Sequence, residues 1–166
     1  MKELVIGLGF IGTRLREMTN AEGATRGNPI YHPHHVIDLL NVKPDTLPTA
    51  DLVYITAGIN GQAACEGNPK SWLTNCDGTI SITREYTRRG SWVVWLSSST
   101  VEWASSAYAR QKAFTESVLL NMDCSIIRPG RVTKENLEDL CTTIINAGRN
   151  KWPGITRWGE EAPYVR

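Results

Sequence analysis

Tyr108 and Lys112 are the pair in this chain best spaced for proton chemistry. Four residues apart on a helix, their side chains share one face. A lysine cation beside a phenol favours the phenolate and lowers its pKa. Such a tyrosine can exchange a proton with a substrate hydroxyl or carbonyl near neutral pH. Ser97-Ser98-Ser99-Thr100 stands a little upstream, at the end of an apolar run. A serine hydroxyl there can hydrogen-bond the same substrate oxygen. By itself Tyr-x-x-x-Lys is usually plain helix surface; the serine cluster and the chain's N-terminal motif give it weight.

That motif is Gly7-Leu8-Gly9-Phe10-Ile11-Gly12, which follows Leu4-Val5-Ile6 and precedes a helical pattern. In a strand-to-helix GxGxxG turn the first glycine permits the tight bend. The second lets the backbone approach a pyrophosphate, and the third lets the helix pack on the strand. The helix N-terminus offers unpaired N–H groups and a positive dipole end. The context is that of a dinucleotide site; the alternative is a glycine turn that binds nothing. An acidic residue after the second strand would select NAD. The sequence has Thr25-Arg26 instead. An arginine can stack on adenine or pair with a 2′-phosphate, which tilts the expectation from NAD toward NADP; a solvated surface arginine is the other reading.

The elements that must position these groups follow from periodicity. Short apolar runs at Leu4–Ile6, Ala24–Thr25, His35–Ile37, Asp51–Ala57, Trp92–Leu96 and Cys124–Ile127 read as strands. Helices are expected from Ile11 through Met18, from Pro69 to about Arg89, from Ser105 to Asn121 and from Lys134 to Ala147, with an irregular or short-strand tail from Lys151. Continuous apolar strands alternating with helices predict an α/β fold, a Rossmann-type doubly wound parallel sheet covered on both faces. The connections after the second and third strands are short for crossover helices. One domain is expected over 1–166, with a core to 132 and a C-terminal helix and tail over 133–166.

Composition sets the remaining bounds. The 166 residues are 41% hydrophobic and 21% charged, a globular balance. A net charge of +1 gives no reason to expect a nucleic-acid or anionic-membrane partner. No apolar run is long enough for a transmembrane helix, and Met1-Lys2-Glu3 does not open a signal peptide. Cys65, Cys76, Cys124 and Cys141 have neither CxxC nor disulfide-framework spacing. They read as reduced thiols of a cytoplasmic protein. His32, His34 and His35 read as a loop rather than a metal site, and no metal is expected.

Taken together, these stretches resemble the extended short-chain dehydrogenase/reductase family, above all its nucleotide-sugar epimerases, dehydratases and dTDP-4-dehydrorhamnose reductase branch. The resemblance runs from Leu4 to about Val132. It rests on Gly7–Gly12, Asp38, Asp51–Gly58, Glu66–Pro69, Asn75–Thr79, Leu96–Val101, Tyr108–Lys112 with Glu116, and Ile127–Gly130. It implies that Gly7, Gly9, Phe10, Ile11 and Gly12 hold the cofactor phosphates and that Asp38 contacts adenine. Ala57 and Gly58 would line the cofactor and Pro129 would sit near the nicotinamide. Asn75 would support the lysine through water, Ser98 would be the catalytic serine, Tyr108 the acid/base, and Lys112 its partner and ribose ligand.

The implied activity is NAD(P)-dependent hydride transfer at a carbinol or carbonyl carbon of a sugar or nucleotide-sugar. The chain departs from the family in being about half its usual length, in a short Ser98–Tyr108 segment, and in having GxGxxG where TGxxGxxG is usual. These departures keep a second reading open, a non-catalytic dinucleotide-binding regulatory or scaffold protein; a methyltransferase with a similar glycine loop is a third. The tail separates the first two: Trp152, Trp158 and Tyr164 folded over the nicotinamide end would make a small substrate pocket. The family commonly forms homodimers through the helix bearing Tyr108 and the one before it. Trp72, Tyr86 and Phe114 are either that interface or simply face the sheet.

Overall fold

The computed structural model describes residues 1–103 and 105–159. Seven strands form one sheet: β1 (Glu3–Ile6), β2 (Glu22–Thr25), β3 (His35–Val36), β4 (Leu52–Ile55), β5 (Trp92–Leu96), β6 (Cys124–Pro129) and β7 (Gly154–Trp158). Their order is β3-β2-β1-β4-β5-β6-β7, and every pairing is parallel. This is the doubly wound order, reversing between β1 and β4, with a seventh strand added beyond β6. The tail expected as irregular or short-strand thus supplies a full edge strand.

Side-chain alternation explains why the strands read as continuous apolar runs. Leu4, Ile6, Val53, Ile55, Val93, Trp95 and Ile126 point to one face, where Ile80, Ile82, Tyr86 and Leu119 cover them. Val5, Leu52, Tyr54, Val94, Leu96 and Ile127 point to the other, under Leu15, Leu140, Cys141 and Ile144. Both faces are covered, so both alternate positions along the central strands are mostly apolar. All four cysteines are buried free thiols, Cys124 and Cys141 within these layers.

The helices are α1 (Phe10–Thr19), the short turns α2 (Gln62–Cys65) and α3 (Pro69–Trp72), α4 (Thr79–Arg88), α5 (Ala107–Leu119) and α6 (Leu137–Arg149). Between β2 and β3, and between β3 and β4, the described chain makes only 3-10 turns, at Pro29–Tyr31 and Pro44–Thr46. The helix expected from Pro69 to Arg89 is interrupted: Leu73–Gly78 is a π-helical stretch joining α3 to α4. The helix expected to stop at Ala147 runs on to Arg149, and a Cβ at Gly148 within it would lie 2.8 Å from Leu52 Cδ1. Glycine is kept inside this helix by close packing, not by a turn.

Candidate active site

The turn from β1 to α1 is built by its glycines. Gly7 has φ +98°, a left-handed conformation open to glycine. A Cβ at Gly12 would lie 1.7 Å from the Gly7 carbonyl oxygen, so the first turn of α1 rests directly on the bend. A Cβ at Gly9 would meet no protein atom within 4 Å. No side chain caps α1, which leaves its first amide donors directed out of the N-terminus. Thr56 and Ala57, expected inside β4, leave the ladder: both N–H groups converge on the Ile6 carbonyl at 2.9 and 3.0 Å. The Thr56 hydroxyl then donates to the Gly7 carbonyl at 2.6 Å.

A groove of about 370 Å³ opens along this edge of the sheet. Gly7, Gly9, Arg26, Asp38, Ala57 and Gly58 line it, six of the positions that the sequence singles out. Sequence reading missed Asn28, Tyr31, Thr56 and Asn60, which also line it. Asp38 accepts the Leu40 N–H at 3.0 Å, which fixes the loop that closes the wall. Arg26 is exposed at the rim. Phe10, Ile11 and Gly12 are not lining residues; they form the first turn of α1 beneath the groove. Glycine turn, uncapped helix end and groove together fit a dinucleotide.

Ser98, Tyr108 and Lys112 come together beyond this groove, at the C-terminal end of β5. Ser98 caps the 3-10 turn Ser99–Glu102, accepting from the Thr100 N–H (3.2 Å) and hydroxyl (2.9 Å). Ser106 caps α5 by accepting the Ala109 N–H, which orients Tyr108 in its first turn. The Lys112 ammonium is buried, 4.7 Å over the Trp95 ring and 5.6 Å from the Tyr108 ring centre, and donates to the Leu96 carbonyl at 2.8 Å. Burial lowers its pKa from 10.5 to about 8, against the pull of Cys65, Cys76 and Glu116.

The expected lowering of the Tyr108 pKa is not what this arrangement yields. Burial raises it, and the neighbouring Ser98 hydroxyl works in the opposite direction without overcoming burial. The reason is geometric: the ammonium is spent on the Leu96 carbonyl and the Trp95 face rather than on the phenol.

Asn75 sits in the π-helical stretch between the two regions. Its amide oxygen accepts the Ile59 N–H (2.8 Å), and its nitrogen donates to the Ile59 carbonyl (2.9 Å) and to Gln111 (2.8 Å). It therefore ties the groove wall after β4 to α5, one residue from Lys112. Pro129 closes β6 opposite Trp158. Trp158 packs with Val132 and Leu137 and shares a small cavity with Ser99, Glu102 and Arg128. Trp152 precedes β7, at the opposite edge of the sheet, and Tyr164 lies outside the described residues. Of the three aromatics weighed as an interface, Tyr86 is fully buried and donates to the Pro48 carbonyl. Trp72 and Phe114 are exposed, with ring centres 5.0 Å apart. Among the described residues, no cluster of three or more His, Cys, Asp or Glu is placed to hold a metal. No described helix is long and apolar enough to cross a membrane.

No family model matches the sequence, and no curated protein matches it. Solved structures do match in three dimensions. A UDP-N-acetylglucosamine 4-epimerase from Methanobrevibacter ruminantium aligns with TM-score 0.79 at 16% identity, over 95% of this chain and 76% of its own. A Bacillus halodurans structure assigned to the NAD-dependent epimerase/dehydratases aligns with TM-score 0.75 at 17% identity, over 98% of this chain and 96% of its own. A short-chain dehydrogenase/reductase superfamily protein from Agrobacterium tumefaciens with bound NAD aligns with TM-score 0.68 at 15% identity, over 80% of this chain but half of its own length. The chain is thus structurally similar to the family its motifs resemble, and what it shares with those structures is the Rossmann-type fold.

Proposed function

We propose that the chain is an NAD(P)-dependent oxidoreductase or epimerase of the short-chain dehydrogenase type, acting at a carbinol or carbonyl carbon of a sugar or nucleotide-sugar. The observation that carries this is the meeting of Ser98, Tyr108 and Lys112 at the sheet edge, beyond a groove that begins over the glycine turn. Gly7, Gly9 and the first turn of α1 hold the pyrophosphate, and Arg26 with Asn28 holds the adenosine ribose. With no carboxylate after β2, NADP is favoured over NAD. The dinucleotide, when bound, supplies the hydride donor or acceptor. Tyr108 gives or takes the proton at the substrate oxygen. The Ser98 hydroxyl stabilises the phenolate and orients that oxygen, and Lys112, held on the Leu96 carbonyl, lies on the same face of the helix as the phenol. Trp158, close to Ser99, suits a small sugar ring. Four buried thiols suit a reducing compartment, so the reading places the protein in the cytoplasm. The exposed Trp72–Phe114 pair is the face on which a homodimer would form.

One observation favours a second reading, a dinucleotide-binding scaffold without turnover: Ser98, Tyr108 and Lys112 are not among the residues lining the groove. Fluorescence titration of the six-tryptophan protein with NADPH and NADH tests the binding step. Micromolar binding retained in Tyr108→Phe and lost in Gly9→Asp is the expected result, followed by sugar-dependent oxidation of the reduced cofactor that Tyr108→Phe abolishes. Binding without turnover on any sugar or nucleotide-sugar carbonyl would move the assignment to the scaffold. No binding of either cofactor would overturn both.

A further inference from the structure

Glu116 is a charged group that the proton chemistry does not use, yet it is almost fully buried. It lies on α5 four residues after Lys112 and eight after Tyr108, so all three share one face of the helix. One carboxylate oxygen accepts the Ser97 hydroxyl at 2.5 Å and the Arg128 Nε at 2.9 Å; the other accepts Arg128 Nη2 at 2.5 Å. Arg128 carries the connection onward, donating from Nη1 to Glu102 at 3.0 Å. Arg157 of β7 meets Glu102 at 2.5 Å. Ser97 is also fixed through its backbone, donating to the Ile127 carbonyl at 2.8 Å. The network thus ties Ser97, the neighbour of Ser98, and Glu102, the last residue of the turn that Ser98 caps, to the helix that carries Tyr108.

A buried ion pair is often no more stabilising than apolar side chains of the same volume. What this one supplies is geometry, since a bidentate arginine–carboxylate fork fixes distance and orientation together. We propose that Glu116, acting through Arg128, is a positioning residue that fixes the turn carrying Ser98 relative to the Tyr108 phenol. The proposal rests on the reading of Tyr108 as the acid/base. The charged groups facing Glu116 are Lys112 on its own helix and Arg128 from β6. Those facing Arg128 are Glu116 and Glu102.

The test reads Tyr108 directly, in the full-length chain. Protein labelled with ¹³Cζ-tyrosine is prepared as wild type, Ser98→Ala, Glu116→Gln, and a double variant, Glu116→Leu with Arg128→Met, which removes both halves of the buried ion pair. The Tyr108 signal at pH 8 is assigned by its loss in Tyr108→Phe, and thermal melting confirms that each variant is folded. Ser98→Ala should shift the signal by removing the hydroxyl partner. Glu116→Gln and the double variant should shift it in the same direction, by a comparable amount if the double variant frees Ser98 completely. A Tyr108 signal unmoved in both Glu116 variants would overturn the proposal, and so would one unmoved in Ser98→Ala. NADPH titration of the same samples keeps the two readings apart: unchanged Kd with a shifted signal supports positioning, whereas wild type that binds no NADPH sinks the proposed function and leaves the ¹³C result standing. Once a substrate is in hand, the double variant should lose about 10-fold or more in kcat with little change in the cofactor's KM.

Discussion

Between β1 and β4 the ligand-facing edge is shaped by backbone: a left-handed Gly7, a Gly12 pressed on its carbonyl, and an uncapped helix end. Between β5 and β7 the same edge is shaped by side chains: Ser98 on its turn, a buried Lys112, and the Glu116–Arg128 fork. The first region tolerates nearly any side chain that faces solvent but no atom added inside the turn. The second permits modest shape changes but depends on where a few charges and hydroxyls meet. A phosphate-binding turn must offer main-chain donors, whereas an acid/base site must tune proton affinity, and only side chains do that.

The sharpest way to break the comparison is Gly12→Val. Its added atoms would collide with the backbone of Gly7, which cannot swing aside. We expect a loss of about 3 kcal/mol or more in denaturant unfolding, with NADPH binding abolished. A stable, binding variant would show that the turn is not rigid.

Lys112→Met probes the second region by pH. The folded pKa, about 8, lies below the ordinary 10.5. Between those values the unfolded chain holds a proton that the folded chain has released, so wild-type stability rises with pH across that window. Relative to Lys112→Met, wild type should gain about 3 kcal/mol from pH 7 to above pH 10.5, the equivalent of the displaced pKa. A flat difference would mean that the ammonium is better solvated than its burial implies.

Gly58→Ala tests the seam between the regions. The new methyl would lie 3.0 Å from the Asn75 amide oxygen, tighter than normal contact but against a side chain that can yield. A loss of about 1 kcal/mol is expected, measured by thermal melting, with weaker cofactor binding than stability alone explains. Arg26→Ala should move least in stability, within about 0.5 kcal/mol for an exposed side chain. It should nevertheless weaken NADPH more than NADH; equal loss of both would assign Arg26 to adenine stacking.

Legibility in the sequence follows the same division. The glycine turn was readable because backbone geometry demands a residue type at each position, and the strands because a sheet covered on both faces leaves unbroken apolar runs. Tyr108 and Lys112 were readable because a helix fixes their separation. The Glu116–Arg128–Glu102–Arg157 network was not: it joins four segments whose meeting depends on β6 lying beside β5 and β7 beside β6. For Asn75 the sequence points to support of the lysine through water, but not to its direct bonds with Ile59 and Gln111, which depend on the π-helical stretch turning it toward the groove wall. The interface aromatics looked equivalent as a set, but only the fold places Tyr86 under the sheet and Trp72 outside.

That π-helical stretch also fixes how long the chain can be here. Leu73–Gly78 lies between anchors on both sides, Ser71 bonded to Gln111 and the Asn68 carbonyl, and Ile80, Ile82 and Tyr86 in the core. In an α-helix each residue turns the chain by about 100°. Removing one residue would rotate one anchored end against the other by that angle, and no loop intervenes to absorb it. Insertions and deletions should therefore be far better tolerated between β2 and β4, where 3-10 turns link the strands, than in this stretch, which acts as a length gauge between the groove and the cluster of Ser98, Tyr108 and Lys112.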